Sequence, residues 1–312
     1  MRVGVVFPGQ GSQAVGMGVD IAASSAAARA LFDRSGSILG YDLLALQASG
    51  PDERLRETQF SQPAIFATNV ALYDAVGSLL APVVSAGHSF GELCSLYAAH
   101  ALEFEDALRI VAERGSAMQA AADLAPGGMS AVLGLDAQTV RGIVEQVCGS
   151  SGLRVQLANF NSPSQIVISG DLRGVQLAAE AMVAAGAKRV VPLNVSGAWH
   201  SALMEPALER FEVAVEAGSF SMPSFDVISN VDGRPYRDVE TMRANLIRSI
   251  THEVRWHETA EVLLSYQLDL IVEFGASPVL APLLKRMTGA PPSMVIADFN
   301  GVTKLHEQLE AS

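Results

Sequence analysis

The chain has 312 residues, of which 49% are hydrophobic and 17% charged, with a formal net charge of −12. That is enough apolar material for one large α/β domain or two smaller ones, and a composition that excludes a disordered chain. The acidic balance argues against nucleic acid or an anionic membrane as partner, and two cysteines, Cys94 and Cys148, are too few for a disulfide framework or a zinc site. The apolar run at residues 1–8 is too short for a signal peptide and no stretch approaches a membrane span, so a soluble cytoplasmic protein is expected.

In chain order, residues 3–7 read as a buried parallel strand closed by Pro8. The loop Gly9-Gln10-Gly11-Ser12-Gln13 follows. Its next glycine falls too late for a Gly-x-Gly-x-x-Gly dinucleotide fingerprint, and no acidic residue ends a second strand. The alternative is a loop whose backbone approaches a reacting group, with Gln10 supplying an N–H. Residues 22–39 predict a helix. Thr58-Gln59-Phe60-Ser61-Gln62-Pro63 predicts a polar loop opening a second helix at 64–80, with Pro63 in its first turn.

Residues 82–86 predict a strand and 92–99 a helix, and between them lies Gly87-His88-Ser89-Phe90-Gly91. Gly-x-Ser-x-Gly between strand and helix is the nucleophile elbow. The turn forces the Ser outward, and the amide of Phe90 faces its oxygen from a helix N-terminus, where a developing oxyanion is favoured.

Residues 105–122 predict an amphipathic helix with an apolar stripe of Ala107, Ile110, Val111, Ala117 and Met118. Arg114 lies inside that stripe, whereas Arg109 sits on the opposite face between Glu105 and Glu113. A guanidinium facing the interior needs an anionic partner, either an internal carboxylate or, beside a nucleophile, a substrate carboxylate gripped by the Arg fork.

After Pro126-Gly127-Gly128 the pattern reads strand 129–133, helix 137–147, strand 154–159, strand 164–169, helix 172–185, strand 189–195. This β-α-β-β-α-β order is ferredoxin-like. The expected organisation is a large domain from 1–126 and 196–312 with a small domain, 127–195, inserted in it. The turn Asn159-Phe160-Asn161-Ser162-Pro163 would then face the elbow. Of six histidines, His200, at the domain junction, is the best placed general base, while His88 reads as a buried structural hydrogen-bonder. No Asp or Glu stands out as a partner for His200. Strands are also predicted at 225–230 and 270–274.

Phe7-Pro8-Gly9-Gln10-Gly11-Ser12-Gln13, Gln62-Pro63, Gly87-His88-Ser89-Phe90-Gly91-Glu92, Arg114-Gly115, Asn159-Phe160-Asn161-Ser162-Pro163, Ser196-Gly197-Ala198-Trp199-His200 and Glu273-Phe274-Gly275 occur in this order. The set resembles malonyl-CoA:acyl-carrier-protein transacylases over essentially the whole chain, most of all the free-standing acyltransferases that serve modular polyketide synthases in trans. Fatty-acid transacylases are close relatives. The resemblance implies an α/β hydrolase-like core with a parallel sheet and the inserted ferredoxin-like domain. It implies Ser89 as nucleophile, His200 as base, Gln10 and Phe90 as oxyanion hole, and Arg114 as clamp for the malonate carboxylate. Gln62 and Asn161 would line the pocket, and a main-chain carbonyl at or near Arg255 would orient His200.

Trp199 departs from the pattern, which has Phe or Ser before the histidine; a bulky indole there favours malonyl over α-branched units. The implied substrate is malonyl-CoA and the partner a phosphopantetheinylated acyl carrier protein, with no bound cofactor or metal and a monomeric enzyme. Exposed pairs such as Lys188-Arg189 or Lys285-Arg286 would meet the carrier. An editing acyl hydrolase of the same fold, an esterase, a silent docking protein and transfer of an α-substituted malonyl unit are the alternatives.

Overall fold

Along Val3–Phe7, side chains at Val3, Val5 and Phe7 join one apolar core while Val6 joins another. Leu270, Val272 and Phe274 likewise point one way and Ile271 the other. Strands covered on both faces favour apolar residues at nearly every position, which is why these two segments stand out as near-continuous hydrophobic runs, broken in the second by Glu273. The computed structural model describes residues 1–310. Its strands are β1 (Val3–Phe7), β2 (Pro82–Gly87), β3 (Gly127–Leu133), β4 (Val155–Ser162), β5 (Gln165–Asp171), β6 (Arg189–Pro192), β7 (Asp226–Ile228), β8 (Leu270–Phe274) and β9 (Ser293–Ile296).

Five of them form a parallel sheet in the order β7-β2-β1-β8-β9. Because every strand runs the same way, Phe7, Gly87, Ile228 and Phe274 all end at one edge, where such sheets place their ligand sites. The other four strands form an antiparallel sheet in the order β4-β5-β3-β6, the ferredoxin-like arrangement. Val132, Leu157, Ile166 and Ile168 on one face pack against the helices Ala137–Ser151 and Leu172–Ala184. Met129, Ala158 and Val167 on the other face join the main core.

The structure departs from the predicted elements at several points: the turn expected at 159–163 is mostly strand, since β4 runs on to Ser162, and β6 ends at Pro192 rather than at 195. The helix expected at 22–39 is two, Val19–Ser24 and Ala26–Leu39; extended Ser25 separates them and its Oγ caps the second by accepting from the Ala28 N–H at 3.2 Å. The polar stretch at 58–63 is not a loop. It is the start of the helix Thr58–Val76, with Pro63 inside it and Thr58, Ser61 and Gln62 buried. Pro63 costs one helical hydrogen bond, that of the Gln59 carbonyl. Strand β9 has no counterpart in the sequence reading; it is a short edge strand of four residues, Ser293–Ile296.

Candidate active site

At the end of β2 the chain turns so sharply that only glycine fits on either side of Ser89. A Cβ on Gly87 would lie 1.9 Å from the Gly91 carbonyl carbon, and one on Gly91 would lie 2.3 Å from the Phe7 carbonyl oxygen. Ser89 itself is left-handed, at φ 55°. A non-glycine residue persists in that region only where its surroundings hold it.

Those surroundings include two residues the sequence reading did not single out for this role. Asn230, just past β7, accepts the Ser89 N–H at 3.1 Å and donates to the Ser89 carbonyl at 3.3 Å. Asn230 is fixed in turn by buried Glu92, which accepts its backbone N–H at 3.0 Å and its side-chain amide. Tyr236 donates to the other Glu92 oxygen, and burial raises the Glu92 pKa. The only sequence signals were that Glu92 follows the elbow and that Asn230 ends a predicted strand at the same sheet edge.

His200 also has a positive φ, 57°. Its Nε2 lies 2.8 Å from Ser89 Oγ. Its Nδ1 lies 2.8 Å from the Ser249 carbonyl and 3.2 Å from that of His252. Carbonyls only accept, so Nδ1 carries the proton and Nε2 presents its lone pair to the serine. Burial, and after it the neighbouring Arg114 cation, push the His200 pKa down to about 3.

The expected orienting carbonyl at Arg255 is therefore corrected to those of Ser249 and His252. Arg255 precedes the helix Trp256–Ser265, and its carbonyl is taken by the Thr259 N–H at 3.0 Å. Its guanidinium pairs with Glu258 at 2.5 Å.

Arg114 lies on the helix Phe104–Leu124, which packs closely on the helix Thr58–Val76; a Cβ on Gly115 would come within 2.7 Å of the Thr58 carbonyl. The guanidinium is 1% exposed and donates to Gln62 Oε1 at 3.0 Å and Ser89 Oγ at 3.3 Å. Among the described residues no carboxylate lies within ion-pair distance of it. Burial lowers its pKa to about 10, opposed by the charge of Glu92. Gln62 also donates to Thr58 Oγ1 at 3.3 Å and Gln10 Oε1 at 3.4 Å, so one amide links the cation to the loop after β1. Arg109, by contrast, faces solvent and pairs with Asp106 at 3.3 Å rather than with Glu105 or Glu113.

The remaining predicted positions surround this centre. The Gly9–Gln10 turn touches the elbow: a Cβ on Gly9 would lie 2.6 Å from the His88 carbonyl oxygen and 3.5 Å from Ser89 Cβ. Phe90 stands at the N-terminus of the helix Gly91–Ala98. Asn161, near the end of β4, has Oδ1 2.9 Å from His88 Nε2. Burial lowers the His88 pKa, opposed by its hydrogen bond with Asn161, in keeping with a structural hydrogen-bonder. Trp199 is 4% exposed. A Cβ on Gly197 would lie 2.6 Å from the indole's six-membered edge and 2.7 Å from Ala122 Cβ, two turns beyond Arg114 on the same helix. Glu273 is buried at the end of β8 and accepts the N–H groups of Val279, Leu280 and Ala281 at 2.7–2.9 Å, which fixes the loop beyond that strand. Among the described residues no group of three or more His, Cys, Asp or Glu is placed to hold a metal ion, and no helix is long and apolar enough to cross a membrane.

Comparison with known proteins agrees with this geometry. Residues 5–295 match the acyl transferase domain family. The malonyl CoA-acyl carrier protein transacylase of Salmonella typhimurium is 40% identical over 285 residues, covering 90% of this chain and 91% of that protein. The polyketide biosynthesis protein ThaF of Burkholderia thailandensis is 41% identical over 288 residues, 90% of this chain but 24% of that larger protein. Among solved structures, a malonyl-transacylase in complex with its type II polyketide synthase acyl-carrier protein superposes with a TM-score of 0.93 at 37% identity, over 99% of this chain and 100% of that one. The malonyl CoA-acyl carrier protein transacylase of Coxiella burnetii gives 0.93 at 35% identity, over 99% and 98%. The chain therefore belongs to the acyl transferase domain family and, within it, to the malonyl-CoA:acyl-carrier-protein transacylases.

Proposed function

We propose that this protein transfers a malonyl group from malonyl-CoA to the phosphopantetheine thiol of an acyl carrier protein, through an ester on Ser89. The observation that carries the reading is Arg114, a buried cation beside the nucleophile with no carboxylate partner among the described residues. An unpaired buried charge is costly to keep, and a substrate carboxylate would complete it. An editing hydrolase or a general esterase has no use for such a group.

In the first half-reaction Ser89 Oγ gives its proton to His200 Nε2 and bonds to the thioester carbonyl carbon. The amide N–H groups of Gln10 and Phe90 receive the oxyanion. The C–S bond then breaks, and the departing CoA sulfur takes the proton from His200. In the second, the carrier thiol gives its proton to the same nitrogen and attacks the ester carbonyl. Ser89 Oγ leaves and recovers the proton. Gln62 holds Arg114 in place, and Asn161 lines the pocket from β4. Residues 127–195, taken as an inserted small domain, shield the ester from water; their own apolar core and helices support that division. The likeness to ThaF and to the type II polyketide transacylase supports service to a polyketide synthase in trans.

Trp199 is the residue proposed to set the extender unit. Its indole is buried, and its six-membered edge occupies the space a Cβ on Gly197 would need. Overpacking a filled site costs about 1–3 kcal/mol, or roughly five- to a hundredfold in rate. With malonyl-CoA and methylmalonyl-CoA in competition, the mass of the loaded carrier protein should show malonyl in excess by that factor. Trp199→Ser should narrow the ratio mainly by improving the branched substrate. No carrier loading at all would remove the transferase reading, and preferential loading of the branched unit by the wild type would remove Trp199 as the wall.

A further inference from the structure

The base is held from outside the parallel sheet. Gln156 lies on β4 of the antiparallel sheet, and all three of its side-chain hydrogen-bonding positions that reach the backbone are used across the junction. Its Nε2 donates to the His200 carbonyl at 3.2 Å and to the Thr251 carbonyl at 3.1 Å, and its Oε1 accepts the Ala202 N–H at 3.0 Å. The first and third of these bracket Ser201 and so hold the chain as it leaves His200, the residue at φ 57°. The second reaches the turn that supplies the Ser249 and His252 carbonyls to His200 Nδ1. One amide thus ties the loop bearing the imidazole to the turn that aims it. The backbone of β4 is docked on the same segment, with the Phe160 N–H donating to the Val254 carbonyl and the Val254 N–H to the Ala158 carbonyl, both at 2.8 Å.

Resting on the reading of His200 as the base, we propose that Gln156 is a positioning residue for His200 and makes the setting of the base depend on the docking of the small sheet. A left-handed non-glycine residue relaxes when its restraints are removed. Without Gln156 the imidazole keeps its chemistry and loses its aim, and a misplacement of about 1 Å is enough to cost roughly a hundredfold. The effect falls on the chemical step, because the side-chain hydrogen bonds of Gln156 go to the His200 carbonyl, the Thr251 carbonyl and the Ala202 N–H and not to Arg114 or Ser89.

The test is single-turnover malonylation of the full chain by malonyl-CoA, read by rapid quench and intact mass, in Gln156→Met and Gln156→Glu, with His200→Ala in parallel. Gln156→Met, similar in shape but unable to make these bonds, should acylate about 10- to 100-fold more slowly at saturation, with KM for malonyl-CoA within about twofold. Gln156→Glu should be slow near neutral pH, where its carboxylate only accepts. It should regain rate relative to wild type as the pH falls and the protonated carboxyl can again donate to a carbonyl. Should Gln156→Met not fold, the Glu variant decides on the same two readouts. Wild-type acylation rates in a folded Gln156 variant, or a loss confined to KM, would overturn the proposal. Unimpaired acylation by His200→Ala would instead overturn the assignment of the base.

Discussion

In a His200→Ala variant, malonylation from malonyl-CoA should slow by about two to four orders of magnitude, the usual scale for loss of a general base. The expectation rests on the contact of 2.8 Å between Nε2 and Ser89 Oγ and on the two carbonyls that hold the proton on Nδ1. The pH dependence follows from the same surroundings. With its pKa pushed down to about 3 by burial and then by Arg114, His200 is neutral and ready to accept a proton throughout the weakly acidic range. The acid limb of acylation, measured as kcat/KM for the free enzyme, should therefore lie well below the value of about 6.5 for an unperturbed histidine. Loss of the Arg114 cation should move that limb upward. A malonyl carboxylate seated on Arg114 cancels the same charge and so strengthens the base when substrate is in place. Stopped-flow detection of CoA release across the pH range checks the sign, and a His200→Ala rate within tenfold of wild type would contradict the role.

Replacing Arg114 with Ala should exchange one substrate class for another. Malonyl transfer loses a charge-assisted pair worth about 1.5–3 kcal/mol, or roughly 10- to 150-fold, plus the cost of burying the substrate carboxylate without a partner. Acetyl transfer has no carboxylate to lose and should be kept or improved. The fold should tolerate the change, since the guanidinium gives up only its bonds to Gln62 and Ser89 Oγ and breaks no ion pair. Thermal unfolding of the variant beside acetyl- and malonyl-CoA loading separates the cases. Collapse of the fold, or equal loss of both substrates, would mean that Arg114 is a structural group.

Much of this arrangement is legible in the sequence because it rests on residue types that have few other uses. Two doubly covered strands, Val3–Phe7 and Leu270–Phe274, have the predicted bounds because their apolar runs are interrupted by one polar residue alone, Glu273. The elbow is readable because its glycines answer to contacts that exclude any Cβ. Arg114 is readable because a charge on an apolar stripe calls for an explanation. What the sequence hides is the work of the main chain and of inward-facing amides. A carbonyl has no side-chain signature, so the Ser249 and His252 acceptors are invisible and the resemblance points only to the neighbourhood of Arg255. Thr58 and Gln62 look like loop residues until Arg114 is seen to need them, and they then prove to be buried in a helix. Asn230 and Gln156 serve the site from other strands, at sequence separations of 141 residues from Ser89 and 44 from His200.

The central claim, that Ser89 carries the malonyl group, is tested most directly by mass spectrometry of the protein quenched after mixing with malonyl-CoA in the absence of carrier protein. One malonyl adduct should appear, located by peptide mapping on the segment containing Ser89, and it should be absent from Ser89→Ala and discharged when holo carrier protein is added. A malonyl adduct on any other residue, or one that persists in Ser89→Ala, would contradict the account.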